Sequence, residues 1–177
     1  MDAGHWWTAS NLLSLSRLVL AVFIVGSISK HRLPEALILL AVAALTDLLD
    51  GWVARATHTK TPLGQLLDPI ADKVLLNAVF LGLALAKLAP WWYVALVFAR
   101  DLFLVVSSPF VLAAASHREL RPSLLGKAST VLQIATAAAL LGNLQSIGLG
   151  LIALSTAATL ASGVQYGMRG FRSLQHR

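Results

Sequence analysis

Apolar runs over about residues 12–29, 34–53, 70–88, 92–115, 124–142 and 146–167 alternate with short polar breaks along the chain. Each run is near the ~20 residues that cross a hydrocarbon layer as a helix. Lipid offers no partners to backbone N–H and C=O groups, so a spanning segment must be a helix or part of a closed barrel. None of the runs shows the period-two alternation of a barrel strand. The pattern predicts an all-α integral membrane bundle of six transmembrane helices, forming a single domain over residues 1–177. The opening HWWTASN leaves room for a short interfacial helix, with Ser10 or Asn11 as N-cap of the first span.

Composition supports this reading. The chain is 57% hydrophobic and 12% charged, with mean hydropathy +0.74, unlike a soluble domain. Six spans put the N-terminus, the second and fourth loops and the C-terminus on one side. That side carries Arg55, Lys60, Arg118, Arg121, Lys127, Arg169, Arg172 and Arg177, against Lys30, Arg32 and Lys87 on the other. The positive-inside rule then makes both termini cytoplasmic. The first apolar run continues into a full span without a basic leader, and a bacterial plasma membrane is the expected location of this multi-pass protein. Topology and anionic lipid headgroups account for the net charge of +6, so nucleic acid is not an expected partner. The absence of Cys excludes disulfides and thiolate metal sites.

Trp6, Trp7, Trp91, Trp92 and Tyr93 stand at span ends, where amphipathic rings anchor in the headgroup layer. Small residues crowd the last two spans, in IATAAALLG and LSTAATLASG, and are assigned to close packing within or between subunits.

Against this background, four carboxylates stand out. Asp47, Asp50, Asp68 and Asp72 fall within one short stretch, although a charge at membrane depth carries a penalty of roughly 2.5 to 3.5 kcal/mol even on lenient scales. Asp47 and Asp50 are spaced i,i+3, and Asp68 and Asp72 i,i+4, so each pair shares a helix face. The segment between them, GWVARATHTKTPLG, contains Gly51, Pro62 and Gly64 and is expected to turn the chain back at the cytoplasmic surface. Facing carboxylates raise one another's pKa unless a cation compensates. Oxygen-only donors suit Mg²⁺ or Mn²⁺, whose remaining coordination goes to water and phosphate. Arg55, Lys60 and the amides near Gly51 and Gly64 would add phosphate donors. The alternatives are ion pairs with Arg17, Lys73 or Arg100, or a cation pathway in an ion-coupled transporter.

The ordered set Asp47-x₂-Asp50-Gly51-x₂-Ala54-Arg55-x₈-Gly64-x₃-Asp68-x₃-Asp72 resembles the signature of the CDP-alcohol phosphatidyltransferases at every fixed position. The resemblance implies a membrane enzyme, usually a homodimer, that moves a phosphatidyl group from CDP-diacylglycerol to an acceptor hydroxyl and releases CMP. It implies two divalent ions, Mg²⁺ or Mn²⁺, held by Asp47, Asp50 and Asp68. Asp72 would be the general base and a further metal contact. Gly51, Ala54, Arg55, Thr61, Gly64 and Asn11 would meet the CDP moiety.

ALTDLLDG, LGQLLDPIADKVL, the Arg100-Asp101 pair and RPSLLGKASTVLQ are most similar to cardiolipin-forming members, whose acceptor is phosphatidylglycerol. The alternative acceptor is glycerol 3-phosphate, as in members that make phosphatidylglycerophosphate. Arg100, Arg118, Arg121 and Lys127 are the candidates for an acceptor phosphate, and their plain reading is topology charge plus an Arg100-Asp101 structural pair.

Overall fold

The computed structural model describes the backbone over residues 9–57, 62–114 and 124–175, and side chains over 15–46, 73–103, 124–165 and at Met168. The described residues form six helices and no strand: α1 (Ala9–Ser29), α2 (Leu33–Thr57), α3 (Pro62–Leu85), α4 (Trp91–Ala114), α5 (Leu124–Leu141) and α6 (Gln145–Gln175). Among them, Leu124–Leu141 and Gln145–Gln165 are long and apolar enough to cross a bilayer. Leu15–Ser29, Leu33–Thr46 and Lys73–Leu85 are shorter apolar stretches.

The helices run further than the apolar pattern does. GWVARATHTKTPLG was expected as a turn, yet α2 continues to Thr57 and α3 starts at Pro62, leaving only 58–61, outside the described residues. A proline at the first helical position sacrifices no internal hydrogen bond, so Pro62 starts a helix where the pattern suggested a break. Gly51 and Gly64 therefore lie inside helices. α1 begins at Ala9, which places Ser10 and Asn11 in its first turn; residues 1–8 lie outside the described set. α6 spans 31 residues, about 46 Å at 1.5 Å per residue, and carries its helix beyond the apolar run to Arg169 and Arg172.

The chain divides into two compact units, Met1–Leu88 with Leu141–Asn143, and Ala89–Leu140 with Leu144–Arg177. In the first, α1 packs on both α2 and α3. Its buried stripe is Arg17, Ala21, Ile24 and Ile28, at helical spacing, matched by Ala36, Leu40 and Ala43 on α2 and by Leu75, Leu76, Val79, Phe80, Leu83 and Ala84 on α3. The opposite face of α1 exposes Leu15, Val19, Val22 and Phe23, which suits lipid rather than water. α1 and α3 approach closely at Gly82, where a Cβ would stand 3.3 Å from Ile28 Cδ1.

The α1–α2 and α3–α4 connections are Schellman turns. Arg32 N–H reaches Ser27 O at 2.9 Å and His31 N–H reaches Ile28 O at 2.9 Å; Leu88 N–H reaches Leu83 O at 2.8 Å and Lys87 N–H reaches Ala84 O at 3.0 Å. The residue in the left-handed position is His31 in one and Lys87 in the other, with φ of 55° and 60°. In the α5–α6 connection, Asn143 takes φ 58° and Leu144 N–H reaches Ala139 O at 2.9 Å.

In the second unit α4, α5 and α6 are tied by buried neutral polar groups. Tyr93 Oη lies 2.7 Å from Ser155 Oγ, and Ser129 Oγ lies 2.9 Å from Thr159 Oγ1. Gln133 Nε2 donates to Thr159 Oγ1 at 3.4 Å. Ser129, Gln133 and Thr136 recur on one stripe of α5, and Ser155, Thr159 and Ser162 on one stripe of α6, all buried. Small side chains let the helices approach until these groups meet, as the crowding of Ala, Ser and Thr predicts. At Gly148 a Cβ would come within 2.7 Å of Leu140 Cδ2.

Candidate functional site

In the first unit, the backbone of α2 carries Asp47, Asp50, Gly51, Ala54 and Arg55, and that of α3 carries Gly64, Asp68 and Asp72. Continuous helix through both segments keeps the i,i+3 and i,i+4 spacings as face relations. It also aligns Asp47, Gly51 and Ala54 on one stripe of α2, and Gly64, Asp68 and Asp72 on one stripe of α3. Each stripe thus combines acids with residues of minimal side chain. Gly51 N–H is committed to helical bonding. Gly64 lies in the first turn of α3, whose N–H groups have no intrahelical acceptor and favour an anion.

The side chains of these aspartates, and of Asn11, Gly51, Ala54, Arg55 and Gly64, lie outside the described residues, as do Thr61, Arg118 and Arg121 altogether. Among the described residues no group of three or more potential metal ligands occurs. The donor chemistry nonetheless fits divalent ions: oxygen-only ligands, paired on helix faces, on two helices of one compact unit.

One residue of this unit is more telling than the sequence pattern suggested. Arg17, on α1, is only 4% exposed. Its sequence signal is a single cation inside an apolar span, NLLSLSRLVLAVF, which by itself suggests no more than a structural ion pair.

In the second unit, Arg100 and Asp101 form a buried ion pair on α4, Nη1 to Oδ1 at 2.8 Å, with side chains 6% and 3% exposed. Arg100 Nη2 also donates to Gly126 O on α5 at 3.3 Å, and Thr130 Oγ1 donates to the same carbonyl at 3.2 Å. Arg100 is therefore held by its neighbours and clamps the first turn of α5. Lys127, the next residue along α5, is exposed. Of the four proposed acceptor residues, the described geometry leaves Lys127 as the cation directed to its surroundings and gives Arg100 an anchoring position.

A six-helix chain, with cations held in its helices and two helix faces of paired carboxylates, has the features of a membrane enzyme acting on phosphate esters. Residues 7–163 match the sequence profile of the CDP-alcohol phosphatidyltransferases. The chain belongs to that family.

The chain is 33% identical over 188 residues to a cardiolipin synthase (CMP-forming) of Rattus norvegicus, an alignment covering 92% of this chain and 62% of the rat protein. It is 31% identical to a probable phosphatidylglycerophosphate synthase of Mycobacterium tuberculosis, over 93% of this chain and 82% of that protein. A CDP-diacylglycerol–glycerol-3-phosphate 3-phosphatidyltransferase of Aquifex aeolicus is 36% identical over 68% of each chain. The chain thus spans less than two thirds of the rat cardiolipin synthase. A transporter reading finds no counterpart in these matches.

Proposed function

We propose that the protein transfers the phosphatidyl group of CDP-diacylglycerol to the hydroxyl of phosphatidylglycerol, giving cardiolipin and CMP. The observation that carries the chemistry is the helical placement of the signature aspartates, with Asp47 and Asp50 on α2 and Asp68 and Asp72 on α3. The observation that favours phosphatidylglycerol is the similarity to a cardiolipin synthase over 92% of the chain. Glycerol 3-phosphate is the second reading, favoured by the 36% identity to the Aquifex aeolicus enzyme.

In this reading Asp47, Asp50 and Asp68 hold two divalent ions, Mg²⁺ or Mn²⁺, with Asp72 beside them. The ions supply positive charge that stabilises the diphosphate and the departing CMP. Asp72 accepts the proton of the acceptor hydroxyl, whose oxygen forms a new bond to the phosphatidyl phosphorus. The bond from that phosphorus to the CMP oxygen breaks, and CMP leaves with its electron pair. Arg55 and the first-turn amides of α3 at Gly64 grip the CDP diphosphate, while Asn11, Gly51, Ala54 and Thr61 complete the nucleotide contacts. Lys127, with Arg118 and Arg121, attracts the acceptor phosphate, and Arg100 holds the first turn of α5 on which Lys127 stands.

The setting is a six-span bundle with both termini cytoplasmic, in a bacterial plasma membrane and as a homodimer. The exposed apolar face of α1 and the two bilayer-length helices α5 and α6 support the membrane part of this reading.

Purified protein in liposomes with Mn²⁺ and CDP-diacylglycerol, offered phosphatidylglycerol, glycerol 3-phosphate, inositol phosphate or serine in turn, decides the acceptor. CMP release with cardiolipin as the lipid product, identified by mass, is the expected result. Phosphatidylglycerophosphate as the product establishes the second reading, and no CMP with any acceptor overturns both.

A further inference from the structure

Arg17 is a buried cation in an apolar helix of the first unit. The unit's other described Lys and Arg residues, Lys30, Arg32, Lys73 and Lys87, are all more open to the surface. A guanidinium that deep requires an anionic surrounding, because an uncompensated charge there is strongly disfavoured. The described acid of this unit, Glu35, is exposed at the far end of the α1–α2 hairpin and pairs with Arg32 at 3.4 Å. The aspartates of α2 and α3 are the remaining acids of the bundled helices.

Helix register brings the two together. α1 and α3 run in the same sense, since α2 returns between them, and Gly82 packs on Val25 and Ile28. Ten residues back along each helix, Asp72 is level with residues 15–18 of α1. Across the α1–α2 turn, Ser29 and Leu33 are the facing helix ends. Arg17, twelve residues down α1, is then level with residue 45, about 3 Å along the axis from Asp47 at 1.5 Å per residue. α1 packs on both aspartate helices, so the backbone of Arg17 lies at the depth of both.

We propose that Arg17 is a positioning residue of the carboxylate constellation, a built-in counter-cation that keeps the aspartates of α2 and α3 together when no divalent ion is bound. The planar guanidinium fork suits carboxylates, and its fixed charge relieves their mutual repulsion. The inference rests on the metal-site reading above. It carries a particular consequence: Arg17 stabilises the metal-free protein and opposes the incoming cations, so removing it should loosen the former and favour the latter.

Thermal unfolding of detergent-solubilised wild type, Arg17→Met and Arg17→Lys across a Mn²⁺ titration, without substrate, tests this. Arg17→Met is expected to melt lower than wild type without metal, to gain more from Mn²⁺, and to show a response midpoint about five-fold or more lower in concentration. Arg17→Lys, which keeps the charge and loses the fork, should melt lower without metal while keeping a Mn²⁺ midpoint near that of wild type. A responding wild type with an unchanged or higher midpoint in Arg17→Met overturns the inference alone. If Arg17→Met yields no folded protein, an unchanged melting temperature in Arg17→Lys overturns it. A wild type without any Mn²⁺ response overturns the metal reading beneath it.

Discussion

The two units of the chain solve the same problem, polarity inside an apolar bundle, with different chemistry. In the first, one arginine is buried, and the backbone that carries it lies level with the helix segments that carry the two aspartate pairs, the arrangement from which the counter-cation proposal follows. In the second, hydroxyls and an amide meet one another directly, Tyr93 with Ser155 and Ser129 and Gln133 with Thr159, and the charged pair found among the described residues, Arg100 with Asp101, is neutral in sum. Neutral groups that bond to one another hold helices together without calling for an added ion. The difference teaches that the polarity buried among the described residues of the second unit is met by neutral groups and an ion pair, whereas the paired acids of the signature lie on helices of the unit in which catalysis is proposed.

The comparison can be broken most sharply at Asp72. Asp72→Asn is expected to lower transfer by a factor on the order of 10² to 10⁴, the usual contribution of a general base, while metal-dependent binding of CDP-diacylglycerol persists. If catalysis and binding fell together, Asp72 would be a ligand and not the base. The next largest effect belongs to the second unit's ion pair: Arg100→Met removes the cation from a buried carboxylate and should destabilise the protein by about 3 to 5 kcal/mol. Replacing both, as Arg100→Met with Asp101→Leu, should recover much of that loss, measured by thermal or denaturant unfolding in micelles. A double variant no more stable than the single one would show that Arg100 matters through Gly126 rather than through Asp101.

Lys127→Ala is expected to raise KM for the anionic acceptor with little change in kcat or in melting temperature, because Lys127 is exposed and outside the polar seam. A fall in kcat with KM unchanged would take Lys127 out of acceptor binding. The smallest effect separates members of the seam itself. Thr159→Val removes the group that both Ser129 and Gln133 meet and should destabilise by about 0.6 to 1.7 kcal/mol, in the range measured for hydrogen bonds between membrane helices. Gln133→Met should be milder, since the amide makes a long bond at 3.4 Å and its Oε1 has no partner to lose.

Much of this architecture was legible because hydrophobic run length is a strong signal in a membrane chain. Each of the six helices overlaps one of the six apolar runs, and the ends of α4 and α5 fall within a residue of the expected ones. The signature spacing, in turn, placed the aspartates on helix faces. Helix continuity through Gly51 to Thr57 was not legible, because glycine, proline and polar residues read as a turn when only propensity is weighed, whereas lipid-exposed backbone favours helix up to the surface. The all-helical expectation is met, with six helices among the described residues, of which two are long and apolar enough to cross a bilayer.

Arg17 and the α5–α6 seam were harder for a different reason. A single arginine, or a serine every four residues, has the same sequence signature whether it faces lipid, water or a neighbour; burial decides, and burial is a property of packing. Arg100 shows the same limit. Its sequence position suggested a free phosphate ligand as readily as a clamp, and only the 2.8 Å bond to Asp101 and the bond to Gly126 O give it an anchoring position.

The left-handed residues at the helix ends have a practical meaning for anyone preparing this protein. His31 and Lys87 hold backbone conformations that favour glycine, and each stands at the opposite end of an aspartate-bearing helix from the carboxylates. They are places where the chain can be made sturdier without touching its chemistry. Glycine at either position relieves a left-handed penalty on the order of 1 kcal/mol, partly offset by the extra freedom it gives the unfolded chain. The surface remote from the proposed reaction thus offers adjustable fasteners for an enzyme that must survive extraction from its membrane.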